Sequence, residues 1–216
     1  MSIAVVDYGM GNLRSVANAL QSVSGRQRVE ISSDPGTIEL ADRIVFPGQG
    51  AMPACMHELE ARGLREAILR AANSKPFLGI CVGLQMLFAY SEEGDAQGLA
   101  IFPGEVRHFC SGQQHGQRLK VPHMGWNRVR QTQQSSTARQ QAHPLWRNID
   151  DGSHFYFVHS YYVAPQEPDI IVARSDYGLE FSAAVARDNI FAVQFHPEKS
   201  DNDGLELLRN FVSWRP

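Results

Sequence analysis

Strand-like apolar runs alternate with amphipathic runs through the first half of this chain, and this pattern strongly limits the folds available to it. Three runs have the length and composition of buried strands, namely "IAVVD", "RIVFPG" and "PFLGI". Apolar residues at helical spacing follow each of them, in "NLRSVANALQSV", "PACMHELEARGLREAILRAA" and "VGLQMLFAY". Such alternation predicts a mostly parallel sheet flanked by helices, with functional groups beyond the carboxyl ends of its strands.

The second half of the chain has a different pattern. Four strand-like runs follow one another with turn-rich connections, namely "FYFVHSYYV", "DIIVARS", "EFSAAVA" and "IFAVQFH", before a closing amphipathic helix, "DGLELLRNFVSW". Two polar stretches, 110–119 and 130–143, are predicted as exposed loops too short to link domains. The predicted fold is therefore a single α/β domain over residues 1–216, in which an antiparallel β extension follows a mostly parallel central sheet.

Composition excludes several functional classes. A formal net charge of −3 gives no electrostatic reason to expect a nucleic acid or a membrane as partner. The first residues have no basic signal-peptide region, and the longest apolar run is too interrupted to span a bilayer, so we expect a cytoplasmic protein. Three cysteines at unrelated spacings predict free thiols, and no Cys/His pattern has zinc-site spacing. We therefore expect neither a metal nor a cofactor.

One cysteine occupies a position that suits a nucleophile. Cys81 lies where an apolar strand passes into a helix, with Gly79 and Gly83 on either side. This arrangement resembles a nucleophile elbow, in which a tight turn exposes the reactive atom and the next N–H, here that of Val82, faces the developing oxyanion. The helix N-terminus would also favour a thiolate. Cys55 and Cys110 lack such a setting and are interpreted as packing or incidental residues.

A thiol needs a base, and His196 is the best candidate among the eight histidines. It ends an apolar strand, and Pro197 favours an extended backbone between it and Glu198. Extended spacing by two places both side chains on one side, so the carboxylate can hold the imidazole in the required tautomer. Cys81, His196 and Glu198 therefore predict a triad that attacks an acyl carbon or an amide.

The motifs that carry these residues resemble those of a known enzyme family. "GICVGLQMLF", "FPGQGA" and "FHPEKS" resemble class I glutamine amidotransferases. "VDYGMGNLRSV", "VPHMGWN" and "FVHSYY" narrow the resemblance, over residues 3 to about 213, to the glutaminase subunits of imidazole glycerol phosphate synthases. The resemblance implies hydrolysis of L-glutamine to glutamate and ammonia. It also implies a heterodimer with a (β/α)₈ barrel cyclase subunit, which uses the ammonia to form imidazole glycerol phosphate and AICAR in histidine biosynthesis.

The resemblance also implies a role for individual residues. Cys81 would be the nucleophile, His196 the general base and acid, and Glu198 its orienting carboxylate. Oxyanion donors would come from Val82 and from the backbone of Gly48, Gln49 and Gly50. The residues implied to hold the amino-acid end of glutamine are Gln85, Glu93, His159, Ser160 and Tyr161. Those implied to face the partner are Asn12, His123, Trp126 and Lys199.

Three alternatives remain open from the sequence. The chain could be the glutaminase of another synthase, of the anthranilate or aminodeoxychorismate type, although "VPHMGWN" and "FVHSYY" favour the histidine pathway. It could be a degenerate regulatory subunit, which the intact Cys81, His196 and Glu198 oppose. It could also be a stand-alone cysteine peptidase or hydrolase, but such an enzyme would usually lack the His-Pro-Glu arrangement.

Overall fold

A computed structural model describes residues 1–112, 120–132 and 142–216 of the chain. Most of the two predicted polar loops, residues 113–119 and 133–141, lies outside the described residues. The described strands are β1 Ser2–Val6, β2 Arg28–Ser32, β3 Arg43–Gly48, β4 Phe77–Cys81, β5 Phe88–Ser91, β6 Ala96–Gln97, β7 Phe102–His108, β8 His123–Arg128, β9 Arg130–Gln131, β10 His154–His159, β11 Tyr161–Pro165, β12 Ile171–Asp176, β13 Glu180–Arg187 and β14 Ile190–Val193. The described α-helices are α1 Leu13–Val23, α2 Pro35–Leu40, α3 Met52–Ala61, α4 Arg65–Ala72, α5 Val82–Gln85 and α6 Asp201–Ser213.

An eight-stranded sheet forms the centre of the molecule, in the order β2-β1-β3-β4-β14-β13-β12-β9. Its first five strands are parallel, and the last three continue it in antiparallel pairing. This arrangement confirms the predicted fold class. Two smaller sheets, β11-β7-β5-β6 and β10-β8, lie outside the central one.

Hydrophobic burial explains why the central strands read as continuous apolar runs. Every residue of β3, β4 and β14 is buried, which is the pattern expected of a parallel sheet covered on both faces. Helix α1 buries Val16, Ala17 and Leu20, which recur at helical spacing. Among the described residues, no helix has both the length and the apolar character needed to cross a membrane.

Two predicted helices differ from the structure. "PACMHELEARGLREAILRAA" forms α3 and α4 rather than one helix, because Gly63 has a φ of +65°, a left-handed conformation that ends helices. "VGLQMLFAY" is helical only over α5, and Phe88–Ser91 is a strand that pairs with β6 and β7. "FYFVHSYYV" divides at Ser160 into β10 and β11, which belong to different sheets.

Candidate active site

Cys81 ends β4 in a conformation that few residues adopt. Its φ of 56° and ψ of −111° make the sharp turn that the sequence predicted, and α5 begins at the next residue. The flanking glycines are required sterically. A Cβ at Gly83 would lie 1.9 Å from the carbonyl oxygen of Phe46, and one at Gly79 would lie 3.0 Å from Cβ of Ala192. Strain of this kind concentrates at functional sites, where the surrounding structure maintains it.

His196 is held from both its backbone and its ring. Its N–H donates to the carbonyl of Tyr156 at 2.9 Å, and its own carbonyl accepts from Ser200 Oγ at 2.7 Å. Ring atom Nδ1 lies 2.9 Å from Glu198 Oε1, whose side chain is only 2% exposed. The other ring atom, Nε2, is buried without a hydrogen-bond partner among the described residues. Because the carboxylate occupies Nδ1, Nε2 is the atom that remains for proton transfer.

The charge state of His196 follows from its neighbours. Burial disfavours the imidazolium, but negative charge on Cys81 and the hydrogen-bonded Glu198 outweigh that cost and raise the pKa of His196 to about 10. The protonated form of His196 is therefore favoured by the two side chains that face its ring.

A cavity of about 290 Å³ opens at Cys81. Its lining residues are Gln49, Gly50, Cys81, Val82, Gln85, Glu93, Pro122, Val158, His159, Ser160, Tyr161 and His196. Ten of these were predicted as site residues from the sequence. Two further predicted residues stand behind the lining, since Gly48 pairs with Cys81 in the β3–β4 register and Glu198 lies behind His196.

Two buried side chains hold the loop that was predicted to supply an oxyanion donor. The hydroxyl of Tyr8 donates to the carbonyl of Pro47 at 2.8 Å, and Cys55 Sγ donates to the carbonyl of Gln49 at 3.5 Å. Burial raises the pKa of the Cys55 thiol to about 11, so it remains a donor at neutral pH. Cys55 is buried, as the packing interpretation expects, but its thiol also contacts the loop.

Gln194 is a site residue that the sequence analysis did not identify. It is fully buried, and its Nε2 lies 3.7 Å from Cys81 Sγ while its Oε1 accepts from Gln85 Nε2 at 3.1 Å. A sequence signal existed, because Gln194 is the one polar residue within "IFAVQF" and lies two positions before His196. Strand spacing by two points side chains to the same face.

Three of the four predicted partner-face residues are exposed, namely Asn12, Trp126 and Lys199. Trp126 is 49% exposed, and its ring meets that of Tyr156 edge-on at 6.2 Å. Lys199 Nζ lies 5.8 Å from the centre of the same Tyr156 ring. Met124, on the same face of β8 as Trp126, is 63% exposed, and it pairs with Val158, which lines the cavity.

The fourth predicted partner-face residue, His123, requires a correction. Its side chain is 3% exposed, and its ring stacks between Tyr177 at 4.1 Å and Phe157 at 4.9 Å. Its Nδ1 lies 2.8 Å from Nε2 of His159, which lines the cavity. Strand alternation explains the difference, because neighbouring residues of β8 point to opposite faces and Met124 and Trp126 take the outer one. His123 therefore lies behind the exposed face rather than on it.

Within the described ranges, no three His, Cys, Asp or Glu side chains gather in a way that could hold a metal ion.

Comparison with known proteins assigns the chain to a family. The family model for class-I glutamine amidotransferases matches residues 4–214. The chain is 57% identical to imidazole glycerol phosphate synthase subunit HisH of Dechloromonas aromatica, covering 100% of this chain and 97% of that protein. It is also 57% identical to the subunit of the same name from Aromatoleum aromaticum, covering 99% of each chain. The structure of PurLQS from Thermotoga maritima contains the same fold, with a TM-score of 0.68 at 18% identity and coverage of 98% and 97%.

Proposed function

The chain belongs to the class-I glutamine amidotransferase family, and on this premise we propose that Cys81, His196 and Glu198 form its catalytic triad. One observation carries the proposal: the strained turn sets Cys81 in the cavity that His196 also lines, and His196 Nε2 has no other partner among the described residues. Glu198 holds the opposite ring atom. These are the positions that a nucleophile, a base and an orienting group require.

The chain is a glutaminase subunit of the imidazole glycerol phosphate synthase type, which serves histidine biosynthesis. Its substrate is L-glutamine, and its products are glutamate and ammonia. We take residues 1–216 as one glutamine amidotransferase domain, and a biosynthetic role of this kind supports a cytoplasmic location.

The proposed reaction proceeds through a thioester. His196 Nε2 takes the thiol proton, and Cys81 Sγ attacks the carbon of the glutamine side-chain amide. The same Nε2 then protonates the amide nitrogen as the C–N bond breaks, so that the leaving group departs as ammonia. Water, deprotonated by His196, hydrolyses the glutamyl thioester and restores the thiol. Once Cys81 Sγ is bonded to the substrate carbon it no longer carries the negative charge that favours the imidazolium, so His196 gives up its proton more readily in the acid step, while Glu198 continues to orient the ring.

The oxyanion that forms during attack needs two donors. The N–H of Val82, at the start of α5, is the first. The second comes from the segment Gly48, Gln49 and Gly50, which lies beside Cys81 through the β3–β4 pairing. A peptide carries its C=O and N–H on opposite sides. Since the carbonyl of Gln49 is turned towards buried Cys55, the N–H of Gly50 points away from Cys55.

The far end of the cavity suits the charged amino-acid end of glutamine. Glu93 and the amide of Gln85 supply acceptors for its ammonium group, and both line the cavity. Segment 159–161, comprising His159, Ser160 and Tyr161, also lines the cavity. Glu93 Oε2 also accepts from the N–H of Met52 at 2.7 Å, which fixes the position of the carboxylate.

The partner is proposed to be a (β/α)₈ barrel cyclase subunit that receives ammonia in a heterodimer. Asn12, Trp126 and Lys199 are exposed and form the proposed contact face, together with Met124, whose pairing partner Val158 lines the cavity. A half-exposed tryptophan next to an exposed methionine is a typical interface anchor.

The test separates the production of ammonia from its use. In the complex with the cognate synthase subunit, Cys81→Ala should abolish product formation from glutamine and retain it from ammonium salt. Cys110→Ala is the matched control, because its exposed thiol lies outside the cavity and its loss should change neither rate. Glutamine-driven synthesis by the Cys81→Ala complex would refute the nucleophile assignment. Loss of ammonium-driven synthesis in an assembled complex would refute the proposed division of labour.

A further inference from the structure

A hydrogen-bond chain runs from Asn127 through His123 and His159 to the carbonyl of Tyr161. We propose that Asn127 and His123 are positioning residues, which hold His159 in one tautomer so that it fixes the Tyr161 carbonyl and, through it, Gln85 in the glutamine cavity. This inference rests on the proposed glutaminase site and deepens it. His123 and His159 face each other directly, because they are paired in the register of β8 and β10.

The donor-to-acceptor direction of this hydrogen-bond chain is set at its outer end, at Asn127. The N–H of Arg128 donates to Asn127 Oδ1 at 2.8 Å, and Asn127 Nδ2 donates to the carbonyl of Asp176 at 2.8 Å. These two bonds orient the Asn127 amide, since a flipped amide would set donor against donor and acceptor against acceptor. Its second N–H therefore points at His123 Nε2, 3.2 Å away, and that ring atom must be an acceptor.

The inner end gives the same direction independently. The carbonyl of Tyr161 can only accept, so His159 Nδ1, 2.8 Å away, carries a hydrogen. A neutral His159 then accepts at Nε2, which lies 2.8 Å from His123 Nδ1. His123 must donate from that atom. Both rings are therefore assigned the Nδ1–H tautomer, and every hydrogen bond in the chain then joins one donor to one acceptor.

The surroundings keep both rings neutral. Burial lowers the pKa of His123 to about 4. Burial also lowers the pKa of His159, to about 3, and the neighbouring rings of His123 and His196 lower it further. The rings around the pair are aromatic, with Phe109 and Phe181 edge-on or tilted to both of them. Each neutral histidine ring has one donor and one acceptor, which is what a hydrogen-bond chain that runs in one direction needs.

The hydrogen-bond chain ends on the carbonyl oxygen of Tyr161, which also binds Gln85. The Tyr161 carbonyl accepts from Gln85 Nε2 at 3.1 Å as well as from His159, and the same Nε2 donates to Gln194 Oε1 at 3.1 Å. With both hydrogens of its amide engaged, Gln85 can offer a ligand only its Oε1 acceptor. An acceptor at this place suits the α-ammonium group of glutamine. If His159 took the other tautomer, it would release the Tyr161 carbonyl and loosen this arrangement.

The tautomers can be read directly. Long-range ¹H–¹⁵N spectra of the histidine rings, recorded on the complex at neutral pH, should show His123 and His159 both neutral and both protonated at Nδ1. An Nε2–H tautomer or a charged ring at either position would overturn the proposed hydrogen-bond chain.

The kinetic consequence has a matched control within the chain. His123→Phe keeps the stacking on Tyr177 and Phe157 but removes the donor to His159, so the KM for glutamine should rise about tenfold. Because the oxyanion donors and the triad are untouched, kcat should change less than about twofold. His143→Phe also replaces a buried, neutral histidine among aromatic rings, but outside the cavity, and its KM should equal that of the wild type.

A second variant guards against a general loss of stability. Asn127→Asp cannot donate to His123 Nε2, so this change at the partly buried outer end should also raise KM and alter the ring tautomers. An unchanged KM in both variants would overturn the positioning role. An equal rise in His143→Phe would assign the effect to stability. If the wild-type complex itself lacked glutaminase activity, the proposed function would fail instead. The tautomer spectra would still decide whether the hydrogen-bond chain exists.

Discussion

Replacing Cys81 by alanine should lower the pKa of His196 from about 10 towards its ordinary value of 6.5. Burial by itself favours the neutral imidazole, so the raised value comes from the negative partners, Cys81 first and Glu198 second. The difference between 6.5 and about 10 corresponds to about 5 kcal/mol of preference for the imidazolium. Because burial opposes this preference, the two partners together supply more than that net amount.

The measurement is a pH titration of the His196 ring by NMR in wild-type and variant proteins. Glu198→Gln should lower the pKa of His196 less than Cys81→Ala does, because Cys81 is the larger cause of the raised value. Cys110→Ala, at an exposed cysteine, should leave the titration unchanged. If His196 titrated at the same pH with and without Cys81, the Cys81 side chain could not be what raises the pKa of His196.

Three further changes test other parts of the molecule. Gly83→Ala places a Cβ 1.9 Å from the carbonyl oxygen of Phe46, so urea unfolding should show a loss of about 1–3 kcal/mol or more, and an unchanged midpoint would contradict that close approach. Gln194→Leu removes a donor near Cys81, so kcat/KM for glutamine should fall at least about tenfold, whereas wild-type kinetics would make Gln194 a packing residue only. His143 has its pKa lowered to about 4 by burial, so it stabilises the fold fully above pH 6.5 and loses this contribution as the pH falls through about 4. His143→Phe should therefore flatten the acid decline of urea stability, and an equally steep decline would refute this origin.

Local patterns were sufficient to predict the central sheet and the sharp turn at Cys81. The glycines around Cys81 act over a few residues, so the chain carries this turn wherever it folds. The extended backbone predicted between His196 and Glu198 was wrong, because β14 ends at Val193 and Pro197–Lys199 forms a 3₁₀ turn. The apolar runs of β1, β3 and β4 likewise predict buried parallel strands, because a sheet covered on both faces needs no polar alternation. Family membership and the glutaminase activity followed from the same motifs.

Tertiary structure decided the features that depend on distant partners. The helix after Cys81 stops at Gln85 because the following residues pair with strands β6 and β7, which override their helical spacing. Gln194 reaches Cys81 across 113 positions, and His123 reaches His159 across 36. A sequence pattern reports which face of an element is apolar, but not which element will cover that face. The burial of His123 behind its strand, and the bonds that fix its proton, were therefore set only when β8 and β10 came together.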